Sequence, residues 1–478
     1  MSLKNSIPQK QRALVLQGGG ALGAYEAGAI TVLCEHLTDV DKGNNKKDGP
    51  LFDVIAGTSI GAMNAAVLVS NVVNRKKSWK EAAEVLAHFW TDGAKEEEKE
   101  DEKKGGLSFT PDFSNWLLDE KTKKPKIFNA SPEAVRKYYS VKQYFFGGAG
   151  APNFFHPKGL EDDSRFQDND VLGNRWPVYN SKPLEQTIKR YSRAKSDEKK
   201  DDDLRIATSW DKREPRLLVI SLDVVEGKTV AFDSYHREAE DPGNSLYDRG
   251  DGITINHVMA SGTLPELYKF RGIPKEGGRK FCDGGILSNT PFRELLQAHR
   301  DYWKTVLGKD QHIIPDLDVY IINVHPSKQH PVPAEDRDSV KDRINDITYS
   351  DRNSHYDEMV ADLVTDFKDL LTDHTELIDN LKDLSKRHLE KKDQCNTTFQ
   401  DELQNILKVI EEKSRGSTVE DRKYKDLIKG RFKVTVTRIE NESYEDSIYG
   451  KAADSTSKTI KELIARGKED ARRVLKHQ

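Results

Sequence analysis

Gly57-Thr58-Ser59-Ile60-Gly61 sets a serine between two glycines, with an apolar run at Phe52–Ala56 before it and a helical run of small residues at Ile60–Val69 after it. G-x-S-x-G at a strand-to-helix turn holds a serine hydroxyl clear of the sheet, where it can act as a nucleophile. Gly57 and Gly61 keep side chains out of the close approach of helix to strand, and the helix N-terminus adds a positive dipole end beside any anion formed there. A serine nucleophile needs a base. In the usual triad that is a histidine oriented by a carboxylate. The chain has 13 histidines; His325 in "NVHP" and His257 in "NHVMASG" are the best placed, and each reads as a surface or core histidine. The better candidate is Asp283 in "FCDGGILSNTP", where Gly284 and Gly285 free the backbone beside it. A carboxylate serves alone when burial raises its pKa or aligns it on the hydroxyl.

A second glycine-rich turn lies in "LVLQGGGALGAYEAGAI", between a short buried strand at Leu14–Gln17 and a helix from Ala24 onward. So much bare backbone suits a phosphate, a dinucleotide or a developing oxyanion. Gly18, Gly20 and Gly23 satisfy G-x-G-x-x-G, but the dinucleotide fingerprint also requires an acidic residue at the end of the following strand. That strand ends at Ala56-Gly57, while Asp39 and Asp41 sit before it in the polar loop "TDVDKGNNKKDG". A P-loop fails as well, because no Lys-Ser or Lys-Thr closes the turn.

Around these motifs the chain supplies consecutive strand-turn-helix units, which imply a parallel sheet covered by helices. Leu217–Val224 and Thr229–Ser234 flank a Glu226-Gly227 turn as a hairpin, Val319–Ile322 forms a strand, and Thr290 with Pro291 reads as the start of a helix. The stretch "YYSVKQYFFGGAGAPNFFHP" is rich in aromatics and has no clear period. From Asp357 to Lys413 apolar residues recur at helical spacing and predict an inserted helical hairpin. "RFKVTVTRIE" then returns to strand alternation and "STSKTIKELIARGKEDARRVL" reads as a helix.

Over its 478 residues the chain is 33 % charged with a net charge of −4, and its mean hydropathy is −0.75. Such a chain exerts no global attraction on nucleic acid or an anionic membrane. No apolar run reaches the length of a spanning helix. The opening residues lack the apolar core of a signal peptide. Cys34, Cys282 and Cys395 are too few and too scattered for a disulfide framework or a zinc site. The expected setting is cytoplasmic and reducing, with neither metal nor organic cofactor.

Taken together, the glycine loop, the G-x-S-x-G turn and Asp283-Gly284-Gly285, in this chain order, resemble the patatin-like phospholipase family. "ASGTLPELY" resembles the family's segment before the aspartate. "GAPNFFHP", "YNSKPLEQTI" and "SKTIKELIARGKEDA" resemble a bacterial subgroup with a C-terminal extension. The resemblance implies Ser59 as nucleophile, Asp283 as base and the backbone N–H groups of Gly18, Gly19 and Gly20 as an oxyanion hole, with Gly23, Gly57, Gly61, Gly284 and Gly285 supporting the motifs. Leu22 stands where many members carry Arg or Lys. Leucine adds no positive charge, so oxyanion stabilisation must come from backbone donors.

The expectation is therefore an α/β fold, a three-layer α/β/α sandwich around a mostly parallel sheet. It forms a single discontinuous domain over 11–478, with an insertion or lid at 71–180 and a helical-hairpin insertion at 335–430. The expected activity is hydrolysis of lipid acyl esters, with transient contact to a membrane surface. An acyltransferase, a histidine-dependent esterase using His257 or His325, and a silent scaffold that binds a protein through its helical hairpin are the alternatives.

Overall fold

A computed structural model describes residues 7–44, 49–93, 154, 156–157, 179–192, 204–235, 252–265, 267–273, 278–307, 314–326, 328, 337–351, 359, 377, 379–383, 405, 408, 432–442, 455 and 457–476. The chain divides into two compact units. The larger comprises Arg12–Leu295, Tyr320–Arg352 and Thr437–Gln478, and the smaller Met1–Gln11, Leu296–Val319 and Asn353–Val436.

In chain order the elements are β1 (Lys10–Leu16), α1 (Gly23–Gly43), β2 (Val54–Thr58), α2 (Ile60–Val73), α3 (Trp79–Gly93), β3 (His156–Pro157), β4 (Tyr179–Asn180) and α4 (Lys182–Ser192). There follow β5 (Arg205–Ile206), β6 (Arg216–Asp223), β7 (Lys228–Asp233), β8 (Ile253–Thr254), α5 (Ile255–Ser261), β9 (Arg271–Ile273) and β10 (Arg279–Asp283). The last are α6 (Phe292–Leu307), β11 (Asp316–Asn323), α7 (Arg337–Tyr349), β12 (Val434–Glu440) and α8 (Ser457–Leu475). The main sheet runs β12-β11-β1-β2-β6-β10-β9, with β7 also paired to β6. It is a mixed, mostly parallel central sheet with helices on both sides, as expected. β1-β2 and β2-β6 pair in parallel at its centre, while β6-β7, β6-β10 and β10-β9 are antiparallel. All five residues of β2, and all but one of β6, are buried. A parallel strand covered on both faces is apolar without alternation for this reason. The predicted hairpin is β6-β7, and Gly227 takes its turn at φ 62°.

α1 makes a contact of very long range in the sequence. It packs against α8, whose Ile460, Leu463, Ala471 and Leu475 are buried. A side chain on Gly28 would overlap the Ile464 carbonyl, and one on Gly467 would overlap the Tyr25 carbonyl. Each glycine costs its helix about 1 kcal/mol relative to alanine. In return the two backbones approach closely enough for Tyr25 Oη to donate to Asp470 Oδ2 at 2.9 Å.

Asp39 and Asp41, expected in a loop, lie within α1. The Arg12 guanidinium donates to both oxygens of Asp41, at 2.6 and 2.7 Å. Of the aromatic stretch only Phe154, His156 and Pro157 are described; Phe154 is buried against Phe89 and Trp90. The rest of that stretch, and the lid expected of it, lie outside the described residues. So does most of the predicted helical hairpin, whose described positions 359, 377, 379–383, 405 and 408 are helical. Within the smaller unit, Trp303 Nε1 donates to Gln11 Oε1 at 2.9 Å and the His299 ring packs on Phe432.

Candidate active site

β6 aligns the two residues that matter most. Its Ile220 pairs with Thr58 of β2, and its next residue, Ser221, pairs with Asp283 of β10. β7 occupies one edge of β6 over Leu218–Asp223, so β2 and β10 meet end to end along the other edge. The residue after β2 is Ser59 and the last residue of β10 is Asp283. Their approach is thus fixed by sheet register, although they are 224 positions apart in sequence.

Ser59 sits at φ 53°, ψ −123°, a left-handed conformation that side-chain-bearing residues rarely adopt. The turn is forced by crowding. A Cβ at Gly57 would come within 2.5 Å of the Gly61 backbone, and one at Gly61 within 2.5 Å of the Leu16 carbonyl oxygen. The serine N–H donates to Ser261 Oγ at 2.9 Å, and Ser261 Oγ donates in turn to the Ile220 carbonyl. Ser59 remains partly exposed.

Ser59 Oγ donates to Asp283 Oδ2 at 2.7 Å. The other carboxylate oxygen accepts the Gly285 N–H at 2.7 Å, which fixes the plane of the group. Asp283 is 2 % exposed. Burial pushes its carboxyl up from the ordinary 3.8 to about 6, against the opposing pull of the bonds from Ser59 and Gly285. Beside it, burial and then the charge of Asp283 push the Cys282 thiol up to about 11, so it stays protonated and is no rival nucleophile.

The glycine loop faces the same spot. A Cβ on Gly18 would lie 3.1 Å from Ser59 Cβ. Gly20 has φ 56°, the backbone twist that favours glycine. The expected oxyanion donors need one correction: Gly18 is buried and its N–H donates to the Asn289 carbonyl at 3.0 Å. Its part is to leave room beside the serine. Gly19 is partly exposed and Gly20 exposed, and their N–H groups form no hydrogen bond among the described residues. Leu22 is buried, and Gly23 is required by Ile60 and Trp90, which a side chain there would meet at 2.7 and 2.8 Å. Gly284 is likewise pressed on the sheet, since its Cβ would lie 2.7 Å from the Ile220 carbonyl oxygen.

Neither candidate histidine is the partner of Ser59 Oγ. His257 Nδ1 caps the start of α5, accepting the Thr254 N–H at 3.0 Å, and its ring packs on Phe232. Burial, reinforced by the charge of Arg205, lowers its pKa to about 4. His325 is 5 % exposed and its Nδ1 lies 3.2 Å from Asp346 Oδ1. Among the described residues no group of acidic, His or Cys side chains is arranged to hold a metal ion.

Three contributors escaped the motif reading: Ser261, Asn289 and Gln17. Each lies inside or beside a motif, in "ASG", "LSNTP" and "LQGGG", but their roles are contacts between distant segments. Asn289 Nδ2 donates to the Gly18 carbonyl at 3.0 Å, and Gln17 Nε2 donates to Thr290 Oγ1 at 2.8 Å. The Thr290 hydroxyl, expected to cap α6, accepts instead from the residue just before the glycine loop.

A strained serine elbow, a buried acid bonded to it and a glycine loop meet on a mostly parallel sheet. The family model for patatin-like phospholipases matches residues 14–296, more than half of the chain, and the chain belongs to that family. Among solved structures the chain is similar to VipD from Legionella pneumophila, at 14 % identity and a TM-score of 0.32, over 98 % of this chain and 67 % of that one. Comparison with curated proteins gave no match.

Proposed function

We propose that the protein hydrolyses lipid acyl esters by two-step acyl transfer, with Ser59 as nucleophile and Asp283 as its only base. The observation that carries this reading is the 2.7 Å bond from Ser59 Oγ to Asp283 Oδ2. Ser59 Oγ attacks the ester carbonyl as its proton passes to Asp283 Oδ2. The carbonyl oxygen becomes an oxyanion facing the amides of Gly19 and Gly20. Collapse expels the alcohol, which takes the proton from Asp283. Water attacks the acyl-serine, gives its proton to Asp283, and Ser59 recovers that proton as the acid leaves. A base near pKa 6 suits both halves: it is mostly ionised at neutral pH, yet far better matched to a hydroxyl proton than an ordinary aspartate.

Among the described residues no helix is long and apolar enough to cross a membrane. In this reading the lipid is reached by transient contact with a membrane surface. The test is labelling by a fluorophosphonate together with hydrolysis of short- and long-chain esters. Labelling should vanish in Ser59→Ala, and kcat/KM should rise with pH through a limb near 6. Unchanged labelling of that variant overturns the nucleophile assignment. A limb that disappears in His257→Ala or His325→Ala, with folding intact, overturns the aspartate base. Transfer of the acyl group to an alcohol in place of water would make the enzyme an acyltransferase.

A further inference from the structure

The glycine loop is held from behind by residues beyond the family match, which ends at 296. Gln17, fully buried just before the loop, accepts the Val324 and His325 N–H groups on Oε1 at 2.8 and 2.9 Å. Its Nε2 donates to the Tyr349 carbonyl at 3.2 Å, and Asn289 Nδ2 donates to that same oxygen at 2.6 Å. Tyr349 is the last residue of α7. The final carbonyls of a helix lack partners within it, so the end of α7 is a natural acceptor for the two amides that frame Gly18.

His325 completes this support. A Cβ on Gly19 would overlap Val324 Cγ2 and lie 3.4 Å from His325 Nε2, so Gly19 rests on these two side chains. Asp346, on α7, lies 3.2 Å from His325 Nδ1, and the ring packs against Tyr349 with centroids 5.9 Å apart. The pair is buried, at 5 % and 4 % exposure. A carboxylate at Nδ1 fixes the tautomer and the orientation of the ring. Here that orientation turns the opposite ring edge toward the loop.

We infer that His325 and Asp346 are positioning residues for the oxyanion loop, holding the Gly19 amide on the site where charge develops; this rests on the Ser59–Asp283 reading above. The histidine acts through Gly19 and exchanges no proton with the substrate. A donor must sit on the oxyanion's position to stabilise it, and misplacement by an ångström costs large factors in rate.

The experiment begins by labelling the full chain with a fluorophosphonate. Labelling of the parent but not of Ser59→Ala fixes the nucleophile independently of His325, and its failure would sink the underlying reading alone. His325→Ala and Asp346→Ala are then compared on a short soluble ester, with rates expressed per labelled site so that unfolded protein does not count. Each should lower kcat and the labelling rate constant by roughly 10- to 100-fold, with KM held within about twofold. The double variant should be no slower than the slower single one, because the two side chains act as one unit. Unchanged rates, a KM effect alone, or losses that multiply would each overturn the inference. So would a loss beyond about 10³-fold in His325→Ala, which would make the histidine a base. If His325→Ala does not fold, His325→Leu fills much of the ring's place with no donor for Asp346 and must show the same kcat loss.

Discussion

Asp283 and Glu26 are both buried carboxyl groups next to the active-site loops, and in both the chief cause of weakened acidity is burial. Their partners differ. Asp283 accepts from a hydroxyl, Ser59 Oγ, and from the Gly285 N–H. Glu26, 0 % exposed at the start of α1, accepts from the Asn64 side-chain amide at 2.7 Å and from the Gln17 backbone N–H. Burial holds it well above the usual carboxylate range. Asn64 also donates to the Gly23 carbonyl and accepts from Trp90 Nε1, so Glu26 belongs to a network that joins α1, α2 and α3. Burial alone therefore does not make a general base. What separates the two acids is a partner that can surrender a proton.

The comparison is broken most sharply by neutral amides. Asp283→Asn should lower kcat/KM by roughly 10³-fold or more on a short ester, because the amide cannot take the serine proton. Glu26→Gln should stay within about twofold of the parent, since an amide can satisfy the same network. Equal losses in the two variants would erase the distinction.

Stability should move the opposite way. The folded pKa of Asp283 is raised, so its contribution is fully present below the ordinary 3.8 and is lost as pH rises through about 6. The loss at pH 8 is about 3 kcal/mol. Asp283→Asn escapes it. Urea unfolding should find that variant more stable than the parent at pH 8, with the gain shrinking toward pH 4. A variant less stable than the parent at pH 8 would mean that the aspartate's hydrogen bonds outweigh its burial.

Two smaller effects sharpen the contrast. Glu26→Ala should destabilise the fold by about 1–3 kcal/mol, leaving buried donors unpaired, while kcat per folded molecule is kept. Ser59→Gly should be more stable than Ser59→Ala by about 1 kcal/mol, because only glycine adopts the positive φ without strain. Thermal or urea unfolding of the paired variants reads both differences.

The parts of this site legible in the sequence are those made by backbone. Gly57, Gly61, Gly20 and Gly23 are dictated by local crowding or twist, and such demands leave glycines at fixed spacing. Ser59 and Asp283 were legible because each sits in such a frame. The parts that were not legible are contacts between segments. Asn289 occupying the Gly18 N–H, and the Tyr349 carbonyl accepting two amides, depend on backbone atoms that every residue possesses. Asp41 read as a loop acid until packing paired it with Arg12, and nothing in the sequence marks Glu26 as buried. The parallel centre of the sheet followed from its consecutive strand-turn-helix units. The antiparallel β10, which brings Asp283 to Ser59, followed from register along β6, and no periodicity records that.

The glycine contact between α1 and α8 also sets a timetable. Tyr25 and Asp470 are 445 residues apart, and a ribosome adding about 5–20 residues per second needs about 20–90 s to cover that distance. Throughout this interval the helix that follows the oxyanion loop has a bare backbone groove and no partner for it. Ser59, Asp283 and the glycine loop have all emerged by then, yet the face that braces the loop's helix is still being made. A nascent chain thus carries the proposed catalytic residues well before the fold that braces them is finished.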